Sequence, residues 1–335
     1  MFNLKRLFTT NRETGNQFDN SKEFPPAIEL QYNDAFIRPE TIDQVFYGKL
    51  LGVNSVIEQE LNPFESNVLK LLNNLLKQDL RSSNLLPRLP AILPKIMSSL
   101  RDENSTAIDI ARLIENDPVL VADVMRLVNS PFYMTRNKIA TLQQATLMLG
   151  RDGLRKLVAG AIMKPLLNQK NGYFSTMASP SLWEHSGKTA LAASVINSGS
   201  EEDLFHAYLA GILHNIGYTL SFKLMDSVFD ANHSPNSKEF HIRFVELSQN
   251  LTQRIAQAWT MPQPVCAALN TQQAIASDNL SHALARNHYI ADKLAKTAIV
   301  SEKLAISPQQ TNILVNQKIC GECRYAFDNI SFKPD

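Results

Sequence analysis

Residues Glu201–Gly217 read EEDLFHAYLAGILHNIG, and they decide the fold class. Phe205, Tyr208, Leu209, Ile212, Leu213 and Ile216 recur at helical spacing and so line one face. Glu201, Glu202 and Asp203 put negative charge into the first turn, where the helix dipole favours it. At about 100° per residue, His214 falls in line with His206 and Ala210, beside the apolar stripe rather than opposite it. The spacing predicts a helix that buries one face and carries His214 toward the interior at its end.

The same reading extends outward in both directions. Upstream, Ser181–Glu184 has the form of a capping box opening a helix to about Ile196, and residues 168–180 read as a loop around Gly172 and Pro180. His185 shares a face of that helix with Leu182, Thr189 and Ile196. Leu154–Met163 forms a buried helix that Pro165 should end or kink. Thr141–Gln144 is another capping box, with Gly150 as a C-cap. Asp117-Pro118 ends one helix and caps the next, whose inner stripe is Leu120, Val124, Leu127 and Val128. Ser105 or Thr106 caps the helix before it. Asn62-Pro63 opens a helix with Phe64, Val68, Leu71, Leu72, Leu75 and Leu76 at helical spacing, and Thr41–Gln44 suggests a start further upstream. Downstream, Phe240 to Trp259 predicts one long helix stopped by Pro262, and Ser281 to about Val300 predicts another. No stretch alternates with the period of a strand. Gly is scarce, at 12 of 335 residues, which leaves few glycine-dependent hairpin turns. The fold class read from these signals is all-α: a multi-helix bundle with an N-terminal helical extension. Residues 1–24 read as a flexible tail, 25–83 as an N-terminal helical region, 84–305 as the main domain and 306–335 as a C-terminal segment.

Composition excludes several function classes. The net charge is +1, so no global field attracts nucleic acid or anionic lipid. Apolar runs such as Leu157–Met163, flanked by Lys156 and Lys164, are far shorter than the ~20 residues of a membrane span. Met1–Thr10 lacks an apolar signal core, so a cytoplasmic location is expected. The three cysteines, Cys266, Cys320 and Cys323, suggest no disulfide framework. Cys320 and Cys323 make one lone pair, half of the usual structural zinc site, and are expected to be ordinary thiols. There is no Gly-rich phosphate loop and no G-x-S-x-G nucleophile elbow.

Six motifs occur in a telling order: Leu86-Pro-x-Leu-Pro90, Ile114-x-x-Asp117-Pro118, Asn129-Ser130, Leu149-Gly150, Leu182-Trp-Glu-His185-Ser186 and Ala210-Gly-Ile-Leu-His214-Asn-Ile-Gly217. Together they resemble the bacterial HD-related output domain (HDOD) family over about 84–220. Over 240–300 the likeness is carried by Trp259-Thr-Met-Pro262 and Ala291-Asp292, and residues 1–83 lie outside it. The resemblance implies an all-α fold descended from HD phosphohydrolases. In those enzymes a His, a His-Asp pair and a distant Asp hold a divalent metal that activates water. Carried over, these positions are His185, His214-Asn215 and Asp292, a vestigial metal set in which Asn215 stands where the parent pattern has Asp.

An amide offers a metal one neutral carbonyl oxygen where a carboxylate brings a full charge. Affinity for a hard divalent cation should fall, and with it the activation of a bound water. No cofactor is therefore expected, with a divalent metal as the exception to be tested. His288 and Asp292, spaced as i and i+4, form an alternative ligand pair. The expected function is non-catalytic signal transduction through binding a signalling or regulatory protein, with membrane and nucleic acid unlikely as partners. The alternative is a metal-dependent phosphohydrolase of nucleotides or cyclic dinucleotides. Relatives that cleave cyclic dinucleotides carry Gly-Tyr-Pro, whereas Gly217-Tyr218 is followed here by Thr219.

Overall fold

The computed structural model describes residues 39–331 apart from 82–85, 87–88, 90, 100–101, 103, 131–137, 198, 271–282 and 305–322. The expected tail over 1–24 and Cys320 lie outside the described residues. In chain order the helices are α1 Pro39–Leu50, α2 Pro63–Leu76, α3 Ile92–Ser99, α4 Ala107–Glu115, α5 Pro118–Val128, α6 Leu142–Leu167, α7 Tyr173–Ile196, α8 Glu201–Leu213, α9 Ile216–Val228, α10 Lys238–Ala258, α11 Gln263–Leu269, α12 Ala283–Leu304 and α13 Cys323–Ile330. The fold is all-α. Among the described residues, extended pairing is limited to one isolated bridge between Ile57 and Ser237.

Most helix starts form where the sequence places them. Asn62 and Glu65 cap each other's backbone at α2. Thr106 and Asp109 do the same at α4, and Asp117 accepts from Val119 and Leu120 at α5. Each satisfies N–H groups that a helix leaves without internal partners. Gly150, at φ 63°, breaks α6 into two segments, in keeping with a C-cap glycine. Pro165 lies inside the last turn of α6, which ends two residues later at Leu167.

Three expectations need correction. Helix α7 begins at Tyr173, so Ser181 lies within it and 173–180 is helix rather than loop. The start is capped from another helix: Asp226 of α9 accepts from the Phe174 and Ser175 backbone N–H groups at 2.7 and 3.1 Å. Similarly, α1 begins at Pro39, which puts Thr41 inside it. Third, Cys323 is disulfide-bonded rather than a simple thiol, while Cys266 is free.

Helix α7 runs through the centre, flanked by α8, α9, α12 and α13. Glycine brings two of these close. A Cβ on Gly211 of α8 would lie 2.4 Å from Ala190 Cα of α7, and one on Gly217 of α9 would lie 2.0 Å from the Ser248 carbonyl oxygen of α10. The main core includes Ile42, Phe46 and Leu50 of α1 and Val68 and Leu72 of α2, together with Leu157, Tyr208, Ile212 and Phe244. The N-terminal helices therefore share a core with the rest of the bundle. No helix among the described residues is long and apolar enough to cross a membrane.

Candidate functional site

Helices α7, α8, α9 and α12 each present one or more of the residues singled out in the sequence. His185 projects from the middle of α7 and is 1% exposed. His214 follows directly on α8, where the chain turns into α9, and Asn215 is the next residue. Asp292 lies on α12. The structure brings all four together. His214 Nε2 is 3.2 Å from His185 Nδ1, and Asn215 Nδ2 is 3.0 Å from the same atom. His185 Nε2 and His214 Nε2 lie 3.0 and 3.7 Å from Asp292 Oδ1. The close approach of α8 to α7 at Gly211 makes this possible.

The proton on His214 can be placed by elimination. His214 Nδ1 is 2.6 Å from the Gly211 carbonyl, which can only accept, so this nitrogen carries the proton and Nε2 keeps a lone pair. Asn215 Nδ2 faces the Leu182 carbonyl at 3.3 Å and Ser186 Oγ at 3.0 Å. The Leu182 carbonyl fixes which end of the amide points this way. An amide nitrogen only donates, and its two protons are shared among these two oxygens and His185 Nδ1. His185 Nε2, though 3.0 Å from Asp292 Oδ1, makes no hydrogen bond among the described residues.

Burial lowers the basicity of these rings. It acts first on His185 and on His214, whose pKa falls well below the ordinary value, with the His185 ring adding to the effect on His214. His288, one turn before Asp292 on α12, is pushed by burial down to about 4, and its Nδ1 has no hydrogen-bond partner among the described residues. Its ring centroid is 5.6 Å from that of His214. His288 thus stands at the edge of the cluster, as the i, i+4 spacing suggests.

The residues that sequence reasoning missed are Lys296, Asp43 and Tyr47. Lys296 Nζ is 2.9 Å from Asp292 Oδ2, 3.2 Å from Asp43 Oδ1 and 2.9 Å from the Tyr47 hydroxyl. Burial opposes its charge, but Asp292 and Asp43 outweigh burial and hold the ammonium above its ordinary pKa. Burial likewise disfavours ionised Asp292, yet Lys296 and His185 keep it well below the usual carboxylate range. The i, i+4 relation of Asp292 and Lys296 was available in the sequence. The contribution of α1 was not, because nothing local links residue 43 to residue 296. A partly open cavity of about 120 Å³ lies beside the cluster, lined among others by Tyr47, Tyr218, Gln249, Thr252 and His288.

Could this set hold a divalent metal? By distance it could, since His185, His214 and Asp292 each offer one ligand atom and these lie within 4.8 Å of one another. By charge it fits poorly. Asp292 Oδ2 already accepts from Lys296. Neutral Asn215 adds no charge, and the nearest carboxylates, Asp43 and Asp292, are matched by Lys293 and Lys296. Hard cations are held by anionic oxygens, and here lysines already balance the charge of both carboxylates.

Comparison with known proteins points the same way as the sequence motifs. The family model for the HDOD domain matches residues 86–275. A curated relative, an uncharacterized protein of Treponema pallidum (strain Nichols), is 24% identical over 212 residues, covering 59% of this chain and 38% of that protein's own length. Among solved structures, an HDOD domain protein of unknown function from Geobacter sulfurreducens superposes with a TM-score of 0.51 at 19% identity, covering 79% of this chain and 98% of that one. A "Putative metal-dependent phosphohydrolase" from Shewanella amazonensis SB2B gives 0.53 at 16% identity, with the same coverage of 79% and 98%. A "Putative signal transduction protein" from Marinobacter aquaeolei VT8 gives 0.52 at 21%, covering 79% and 66%. At these identities the likeness concerns the fold.

Proposed function

The chain belongs to the HDOD domain family, and from that premise we propose that it is a non-catalytic signalling module that works by binding a protein partner. The observation that carries this reading is the state of the histidine–aspartate cluster. Its one central carboxylate, Asp292, is neutralised by Lys296 at 2.9 Å, and Asn215 occupies the place of a second. Lowering the pKa of a bound water takes a cation held by anionic ligands. The fold does not depend on such a cation, because the helices around the site are held by apolar packing. Recognition of a signalling or regulatory protein is then the property left to the domain. The net charge of +1 and the lack of a membrane-crossing helix among the described residues favour a soluble protein partner over nucleic acid or lipid, and a cytoplasmic setting is part of this proposal.

A metal-dependent phosphohydrolase remains the second reading, favoured by the spacing of the three ligand atoms. Incubation of the purified chain with manganese, iron or nickel and a panel of nucleotides and cyclic dinucleotides separates the two. The first reading expects no turnover above that of His214→Ala. Turnover in the native chain that disappears in His214→Ala establishes the second.

A further inference from the structure

Lys296 is 2% exposed, yet it carries a full charge into the deepest part of the candidate site. Its ammonium donates to Asp292 Oδ2 and to the Tyr47 hydroxyl, each at 2.9 Å, and forms an ion pair with Asp43 Oδ1 at 3.2 Å. The Tyr47 ring also lies under it, with Nζ 4.6 Å from the centroid, and the Phe46 centroid is 5.7 Å away. Two of these three partners, and both rings, belong to α1, which lies more than 240 residues away in sequence. Asp43 reaches back to α12 a second time through an ion pair with Lys293. Phe46 continues past the ammonium and packs on His185, with ring centroids 4.5 Å apart. Tyr47 stacks on Tyr218 of α9 at 5.9 Å.

We propose that Lys296 is the resident cation of this site: from Asp292 Oδ2 it supplies the positive charge that a divalent metal would bring, and by binding Asp43 and Tyr47 it fastens α1 over the histidines as a closing helix. The proposal deepens the non-catalytic reading above and rests on it. Removing one partner from a buried ion pair leaves the other uncompensated, at a larger cost than the pair's own net contribution. The two carboxylates therefore demand a cation, and in this chain a side chain answers that demand where the parent enzymes use a metal. The cation also couples two regions: whatever holds Asp292 neutral holds α1 down.

Two measurements on the full chain test this. The first is hydrogen–deuterium exchange over residues 39–50 in metal-free buffer. The second is a Co²⁺ titration followed by the visible absorption of the bound ion. In the native chain α1 should be protected and Co²⁺ should bind no more tightly than to His214→Ala. In Lys296→Met, α1 exchange should accelerate at least ten-fold. Asp292 should then take Co²⁺ at least ten-fold more tightly, and the gain should vanish when His214→Ala is added. Should the buried carboxylates prevent folding, Lys296→Met/Asp43→Leu carries the Co²⁺ arm. Asp43→Asn, which keeps the ammonium on Asp292, should loosen α1 without any gain in Co²⁺ affinity. Unchanged α1 protection in Lys296→Met, or native Co²⁺ binding as tight as in that variant, overturns the proposal. That result leaves the non-catalytic reading standing. Conversely, phosphohydrolase turnover by the native chain sinks that reading, while α1 protection in metal-free buffer still reports on Lys296 alone.

Discussion

Asn215 Nδ2 lies 3.0 Å from His185 Nδ1 and 3.3 Å from the Leu182 carbonyl, and a carboxylate in its place could donate to neither. Asn215→Asp should therefore leave the Leu182 carbonyl and His185 Nδ1 without a donor and add an unpaired buried charge. Loss of a buried hydrogen-bond partner typically costs about 1–3 kcal/mol. Urea denaturation in chelator should show a loss of that order, and added Mn²⁺ should recover part of it if the new carboxylate restores a metal set. The histidines supply a second prediction. His185, His214 and His288 all have pKa values lowered by burial, His288 to about 4 from an ordinary 6.5. Between those values the unfolded chain binds protons that the folded chain refuses. Stability should therefore be full above about pH 6.5 and fall as pH drops toward 4. For His288 alone the loss is on the order of 3 kcal/mol. Comparing pH 7 with pH 4.5 by urea denaturation, His288→Leu should lose measurably less than the native chain. An equal loss would place the acid sensitivity elsewhere.

Helix pairing depends on positions where a side chain is missing. Gly211 lets α8 approach α7 until a Cβ would meet Ala190 Cα at 2.4 Å. The obstacle is backbone, so Gly211→Ala must push the helices apart. Overpacking of this kind costs about 1–3 kcal/mol. The same movement would separate His214 from His185, so the substitution should lower the urea midpoint and raise the depressed pKa of His214, read by NMR. The start of α7 depends on one distant carboxylate. Asp226→Ala removes the acceptor for the Phe174 and Ser175 N–H groups and should cost about 1–2 kcal/mol, with faster amide exchange confined to the first turn of α7. These elements also mark the limit of sequence reading. Caps made within one turn, such as Asn62 with Glu65 and Thr106 with Asp109, were legible because donor and acceptor sit three residues apart. The cap on α7 was not, because its acceptor arrives from 51–52 residues away, and the nearby Ser181 then offered a false start.

At the scale of the molecule, the all-α class was legible from apolar periodicity and scarce glycine, and the place of His185, His214 and Asp292 from the order of the family motifs. The electrostatics of the site were not. Asp43 and Tyr47 belong to α1, outside the matched residues 86–275, and reach the cluster only because Ile42, Phe46 and Leu50 join the main core. A long-range contact of this kind leaves no local periodicity to read. On the proposed reading, such a site supplies its own cation and its own cover. The most direct test is anomalous diffraction from crystals of the full chain grown in excess Mn²⁺. The account predicts no anomalous peak among His185, His214 and Asp292, with Lys296 Nζ still within hydrogen-bond distance of Asp292. A full-occupancy peak on those three side chains, with Lys296 swung away from Asp292, would contradict it.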